Sequence, residues 1–125
     1  MAVLLLDENI SPVVADQAVR KELAARILAL AHWNRGFFLG AADEVVPAAA
    51  AQEKLTLVTF DLKTIVPILR VWGEDGISHG GVILIDDKSV ANDDFGGLVS
   101  ATLRAWQELC DVDCADRIAF LSPAQ

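Results

Sequence analysis

Two short apolar runs that each end on an aspartate constrain the fold of this chain more than any other feature. Residues 4–6 (Leu-Leu-Leu) lead into Asp7, and residues 57–60 (Leu-Val-Thr-Phe) lead into Asp61. Short apolar runs closed by polar or turn-forming residues are typical of buried strands. A Ser-Pro pair soon after the first run suits the start of a helix. Because ligands bind at the carboxyl edge of open α/β sheets, both aspartates are predicted to lie on that edge.

The rest of the chain alternates between segments of strand and helix character. The predicted strands cover residues 2–6, 26–33, 55–60, 81–85 and 117–121. The predicted helices cover residues 11–22, 42 or 43 to about 53, 62–72 and 95–109. Residues 26–33 also suit a continued first helix, but an α/β sheet needs a strand there. The alternation predicts an α/β fold, a three-layer α/β/α sandwich with a mainly parallel sheet, in a single domain over residues 1–125.

Helix-capping and helix-breaking residues refine these boundaries. Asp43 suits the cap of the second helix, and residues 92–94 (Asn-Asp-Asp) supply cap candidates for the last one. Pro67 is predicted to bend or break the third helix, and residues 73–80, with three glycines, are predicted to form a loop.

The charge balance limits the classes of function. The chain has 18 acidic and 10 basic residues and a net charge of −8, which argues against a general nucleic-acid binder. It is compatible with an enzyme whose metal ions screen its carboxylates. Acids interrupt the first apolar run and no apolar span reaches membrane length, so we expect a cytoplasmic protein without membrane partners. Cys110 and Cys114 lack the further ligands of a zinc site and are expected as reduced, partly buried thiols, with a disulfide or redox role as the alternative.

Three aspartates are the candidate site. Asp7 and Asp61 follow strands and Asp43 begins a helix, so all three are placed to converge at the carboxyl edge. Clustered carboxylates repel one another unless a positive charge lies among them, and hard oxygen ligands favour Mg²⁺ or Mn²⁺. Such ions polarise a phosphodiester and activate water for attack. Asn9 and Thr59 are placed to orient the carboxylates, whereas helix capping and surface solvation are the alternative interpretation of all three acids.

Four separate blocks then resemble a known family. They are residues 5–9 (LLDEN), 40–45 (GAADEV), 57–61 (LVTFD) and 80–84 (GGVIL). Together these blocks resemble the short PIN-like proteins, which are related to the ribonuclease toxins of toxin–antitoxin pairs, and the resemblance covers nearly the whole chain. It implies a parallel sheet, an acidic pocket, Mg²⁺ or Mn²⁺, and hydrolysis of RNA phosphodiester bonds. It also implies an antitoxin protein as partner and a homodimer.

The resemblance assigns roles residue by residue. Asp7, Asp43 and Asp61 carry over as catalytic, metal-binding acids, while the supporting neighbours are Asn9, Glu44 and Thr59. The chain departs from the family where a second acid usually follows the third block. Lys63 stands there instead, where it is expected to pair with Asp61 or to touch a substrate phosphate.

The resemblance leaves several other positions open. Ala42 replaces the usual serine of the second block, and Asp86 and Asp87 follow the fourth strand as candidates for an extra ligand.

Two functions from different classes follow. The first is a metal-dependent PIN-like endoribonuclease, the toxin component of a toxin–antitoxin pair. The second is a catalytically impaired PIN-like protein that binds a partner protein through residues 37–39 (Phe-Phe-Leu), a run that alternatively folds back onto the core. A receiver-like phosphoacceptor domain is a third possibility whose acid spacing fits poorly.

His32 and His79 are predicted to be surface or hydrogen-bonded side chains, and the three tryptophans to be core or interface anchors.

Overall fold

The five predicted strands form one parallel sheet. A computed structural model describes residues 2–109 and 111–121. The strands are β1 (Leu4–Leu6), β2 (Ile27–Ala29), β3 (Thr56–Thr59), β4 (Val82–Leu84) and β5 (Ile118–Phe120). Their order across the sheet is β2-β1-β3-β4-β5, and every neighbouring pair is parallel. The chain therefore leaves β1 toward one edge and β3 toward the other, which makes the β1–β3 boundary the switch point where α/β sheets bind ligands.

Four helices connect the strands. They are α1 (Pro12–Lys21), α2 (Val45–Gln52), α3 (Leu62–Asp75) and α4 (Phe95–Leu109), and a short 3₁₀ turn spans Trp33–Gly36. The Ser11 hydroxyl accepts a hydrogen bond from the amide of Val13 at 3.3 Å, which confirms the predicted cap of α1. The Asp94 carboxylate accepts one from the amide of Gly97 at 3.0 Å, so the cap of α4 lies within the predicted triplet.

Several predicted boundaries of strands and helices differ from those in the structure. Every predicted strand is shorter in the structure, and residues 26–33 contain a strand and no α-helix. The helix α2 starts at Val45 rather than at residue 42 or 43, so its cap position is Glu44, which makes no side-chain cap hydrogen bond. The expected capping role of Asp43 is therefore wrong.

The third helix is one uninterrupted element through Pro67. It runs on to Asp75, so both the predicted break and the predicted loop start at residue 73 are wrong. Proline removes the hydrogen bond to the carbonyl four residues earlier, here that of Lys63, in the first turn. The lost bond lies near the start of the helix, Pro67 itself is exposed, and Ile65 and Leu69 on the other side anchor the helix in the core. Gly76 ends α3 in the left-handed conformation, with φ 71°.

The sheet separates two hydrophobic clusters. Leu4 and Leu6 of β1 belong to a cluster that includes α1 and α4, while Leu5 belongs to a cluster that includes α2 and α3. All three leucines are completely buried, as alternation of side chains on a doubly covered strand requires. The sheet with its two helical layers is the predicted three-layer sandwich.

The tryptophans and the one described cysteine occupy the predicted environments. Trp106 is buried and its indole N–H donates to the Ala2 carbonyl at 3.3 Å. Trp33 and Trp72 pack against the α2–α3 cluster. Cys114 is a buried free thiol, and Cys110 lies outside the described residues. In the described part of the chain, no helix is both long enough and apolar enough to cross a membrane.

His79 lies in the turn that leads into β4, packed against the ring of Trp72. Its Nδ1 accepts a hydrogen bond from the amide of Gly81 at 3.1 Å, which requires the neutral ring. Burial lowers the pKa of His79 below its usual value of 6.5, and the charge of Asp116 opposes that shift. The hydrogen bond confirms the prediction for this histidine.

Acidification should therefore weaken the fold through His79. The unfolded chain binds a proton at this ring more tightly than the folded chain does, so the free energy of unfolding falls as the pH drops below 6.5. Urea unfolding at about pH 7.5 and about pH 5.5 should show a larger acid-induced drop for the wild type than for His79→Gln. Parallel pH profiles for the two proteins would show that the ring does not contribute.

Candidate functional site

The carboxylate of Asp7 lies at the end of β1, at the switch point of the sheet. Its backbone amide donates to the carbonyl of Val58 at 2.9 Å, which continues the β1–β3 ladder and fixes the side chain beside β3. One carboxylate oxygen accepts the Thr59 hydroxyl at 2.8 Å, and the other accepts the amide of Glu8 at 2.8 Å. The sheet thus holds Asp7 in one orientation.

The hydroxyl of Thr59 joins the two aspartates that follow strands. It donates to Asp7 and accepts a hydrogen bond from the amide of Asp61 at 3.0 Å. Thr59 is only 1% exposed, so the hydroxyl that forms this bridge is buried between two half-buried aspartates. Asp61 occupies the cap position of α3 but makes no side-chain cap hydrogen bond, which leaves its carboxylate available to a ligand.

One small cavity contains all three predicted acids. Its volume is about 60 Å³, and it opens at the carboxyl edge between β1, β3 and the segment before α2. Its polar lining comes from Asp7, Glu8, Asn9, Asp43, Thr59, Asp61 and Thr64. Its apolar wall includes Val46, Leu57 and Ile65, which belong to the α2–α3 cluster. The core on that side therefore supports the floor of the cavity.

The electrostatics of the cavity are unbalanced. Burial raises the pKa of Asp7, the bonds from Thr59 and Glu8 oppose the rise, and the negative charges of Glu8 and Asp61 add to it. A desolvated carboxylate facing two other negative charges favours a cation at the same place. Lys63, the expected counter-ion, is exposed and does not line the cavity, and the described residues contain no ion pair between Lys63 and Asp61.

The described residues contain no group of three or more His, Cys, Asp or Glu side chains arranged to hold a metal ion. The carboxylates that act on each other are Asp7, Glu8 and Asp61, while Asp43 is exposed on the α2 side of the cavity. Mg²⁺ in proteins commonly uses one or two carboxylates and keeps several waters or substrate oxygens. The donor set of hard oxygens around Asp7 and Asp61 fits that requirement.

The remaining predicted residues lie around this centre. The carboxylate of Glu8 accepts a hydrogen bond from the amide of Gly40 at 3.4 Å, which ties the loop before α2 to the end of β1. Glu44 is exposed and is not among the residues that line the cavity. Of the described residues, neither Asp86 nor Asp87 lines it, and Asp86 accepts the amide of Lys88 at 3.0 Å instead.

Thr64 is a lining residue that the sequence interpretation missed. It lies one helical turn beyond Asp61, and residues three apart on a helix share a face. The three-residue spacing from Asp61 could have predicted Thr64 as a lining residue. No feature of the sequence predicts the hydrogen bond between Glu8 and Gly40, because it joins segments 32 residues apart.

Comparisons with known proteins do not assign this chain to a family, so any functional proposal rests on the chain itself. None of the family models, curated proteins or solved structures compared with the chain matches it.

Replacing Thr59 with valine should destabilise the protein without opening a hole in the core. Valine has nearly the same shape, but it leaves the Asp7 carboxylate and the Asp61 amide without their shared partner. The expected loss in the free energy of unfolding is about 1–3 kcal/mol. Thr59→Ser keeps the hydroxyl and should cost about 1 kcal/mol or less. Urea unfolding checks both; a serine variant weaker than the valine variant would show that the methyl group matters more than the bridge.

Proposed function

We propose that this protein is a metal-dependent endoribonuclease of the PIN-like type, the toxin component of a cytoplasmic toxin–antitoxin pair. The observation that carries the proposal is the cavity at the switch point of the parallel sheet, where Asp7, Asp43 and Asp61 share one opening. The raised pKa of Asp7 supports it, because the cavity walls do not neutralise its negative charge. The resemblance of the four sequence blocks to PIN-like proteins supplies the reaction class.

Asp7 and Asp61 would hold Mg²⁺ or Mn²⁺, with Asp43 reaching the ion or its water shell from the α2 side. When bound, the ion supplies Lewis-acid activation of water and of the phosphodiester. Thr59 fixes the orientation of Asp7 and the position of Asp61 through its two hydrogen bonds. The bond from Gly40 to Glu8 keeps the loop before α2 at the rim of the cavity.

Lys63 completes the proposed site from outside. It lies exposed in the first turn of α3, two residues after Asp61, where its ammonium group is available to a phosphate of the bound strand. A lysine in place of a further carboxylate reduces the negative charge that an incoming RNA meets.

The proposal is tested by incubating the purified chain with end-labelled RNA in Mg²⁺, in Mn²⁺ and in EDTA. Cleavage that depends on the divalent ion is the expected result. Binding of Mn²⁺ followed by electron paramagnetic resonance gives a second readout that needs no substrate. Absence of both cleavage and Mn²⁺ binding at millimolar metal would overturn the proposal.

A second candidate function rests on a different observation. Phe37 is 79% exposed and Leu39 is 47% exposed, while Phe38 between them packs into the α2–α3 cluster and stacks on Trp33 at 4.9 Å. The Phe38 ring thus packs against the core, while the side chains of Phe37 and Leu39 are presented to solvent. Exposed apolar groups held on a packed base favour a protein partner.

A Phe37→Ser variant separates the two functions. If the chain acts as a binding module, this variant should lose binding to the protein encoded by the neighbouring gene while keeping its unfolding midpoint. RNA cleavage should stay at the wild-type rate if the nuclease function is correct. Unchanged binding of the neighbouring gene product by the variant would contradict a docking role for this loop.

A further inference from the structure

The outer edge of β5 has no strand partner among the described residues, and β5 carries two large exposed apolar side chains. Ile118 is 53% exposed and Phe120 is 61% exposed, and β5 pairs only with β4 among the described residues. We propose that β5 is a dimerisation edge, on which a second copy of this chain adds its own β5 in the antiparallel direction. This inference is independent of the proposed nuclease function.

The hydrogen-bond pattern fixes which backbone groups of β5 point outward. The Arg117 carbonyl accepts from Val82 at 2.9 Å, and the Leu121 amide donates to Leu84 at 2.8 Å, so both residues turn their peptide groups toward β4. Peptide groups alternate in direction along a strand, which directs those of Ile118 and Phe120 away from β4. These outward groups are a template for another strand.

One register uses all of the outward groups. If the two-fold axis passes through Ala119, Ile118 of each copy lies opposite Phe120 of the other, and these two pairs exchange four hydrogen bonds. A register shifted toward the amino end would need Asp116 in extended backbone. Asp116 has φ 61° and its amide donates to the His79 carbonyl, so it is unable to join the ladder.

The side chains suit the same register. Ile118 and Phe120 align with Val82 and Leu84 of β4 and therefore project on the α2–α3 side of the sheet. Each isoleucine would face a phenylalanine across the new ladder, and aromatic with β-branched pairs stabilise antiparallel strands. The small side chain of Ala119 lies at the axis, where the two backbones approach most closely.

On the α1–α4 side of the sheet, charge complementarity favours a second copy of this chain over a strand from a different protein. Arg117 would lie opposite Leu121 of the partner copy, beside a groove of about 110 Å³ that Arg104 and Glu108 of α4 line together with Leu121. The side chain of Glu108 is 64% exposed in its ion pair with Arg104. An arginine arriving from the other copy would add a second positive partner to that carboxylate.

The test measures the mass of the whole chain in solution by light scattering across a concentration series. The wild type should reach twice the monomer mass. Phe120→Lys should remain monomeric, since it places a charge in the apolar stripe of the ladder. Leu28→Lys is the matched control, because Leu28 is the exposed apolar residue of β2 at the opposite edge, and it should dimerise like the wild type.

Phe120→Pro supplies a second disruption that keeps the bonds to β4. Its missing amide is one of the outward groups, and proline is tolerated on edge strands, so this variant should also be monomeric with a native circular dichroism spectrum. Arg117→Glu should weaken dimerisation, and Arg117→Glu combined with Glu108→Lys should restore part of it.

Two results would overturn the proposal. One is a wild type that remains monomeric at every concentration. A monomer in which the amides of Ile118 and Phe120 resist hydrogen exchange counts as the same result, since residues 122–125 or another protein would then cover the edge. The other is a dimer that survives both Phe120 variants, which would place the interface elsewhere on the surface.

Discussion

Replacing Asp7 with asparagine should lower the rate of metal-dependent RNA cleavage at least about 100-fold, because an ionic ligand contributes several kcal/mol to a metal-assisted transition state. Asparagine has the same shape and keeps an acceptor for the Thr59 hydroxyl or the Glu8 amide. Its neutral side chain also avoids the cost of burying a charge, the same desolvation that raises the pKa of Asp7. The variant should therefore unfold at or near the wild-type temperature while its activity is lost.

Asp86→Asn is the matched control for this experiment. It makes the same chemical change in an acid that follows β4 but is not among the described residues that line the cavity. Its cleavage rate should stay within about twofold of the wild type. If Asp7→Asn cleaves RNA as fast as both Asp86→Asn and the wild type, Asp7 takes no part in the reaction.

Replacing Gly80 with alanine should cost about 3 kcal/mol of unfolding free energy, because the added methyl group meets backbone that is unable to rotate away. An ideal Cβ at Gly80 would lie 2.5 Å from the carbonyl carbon of Lys54 and 2.6 Å from the oxygen of Leu55. The Gly80 carbonyl also accepts the buried Thr56 hydroxyl at 2.8 Å, so a shift of this turn would strain that bond as well.

Gly73→Ala makes the same substitution where the surroundings are open. Gly73 lies inside α3, with nothing within 4 Å of an added Cβ. Alanine is the better helix former, so this variant should gain about 0.5–1 kcal/mol. Urea unfolding should show a lower free energy of unfolding for Gly80→Ala and a higher one for Gly73→Ala. A Gly80→Ala protein as stable as the wild type would show that the turn relaxes freely.

The existence and type of the main elements were predictable because their signals are local. Apolar runs of strand length, the Ser-Pro helix start and the regular alternation predict the parallel sheet without any tertiary information. The start of α2 was not predictable in this way. Aspartate is a common helix cap, so Asp43 was expected to begin the helix, but the helix begins two residues later, at Val45. The continuity of α3 depends on the burial of Ile65 and Leu69, which outweighs one missing hydrogen bond at Pro67.

The candidate site was predictable only in part. The sequence placed Asp7 and Asp61 on one edge, since both follow strands of one parallel sheet. The structure adds that the Thr59 hydroxyl connects them and that Asp43 approaches from the α2 side. Such relations depend on sheet order and register, and the neighbours β1 and β3 are more than 45 residues apart in the chain.

The division of the interior by the sheet has an evolutionary consequence. The apolar wall of the cavity includes side chains of the α2–α3 cluster, whereas no described member of the α1–α4 cluster lines it, because that cluster lies on the other side of the sheet. Mutational drift in α1 and α4 should accordingly change thermal tolerance while leaving the lining of the cavity intact. Diverged descendants of this chain would retain the α2–α3 half and replace most of the residues on its reverse.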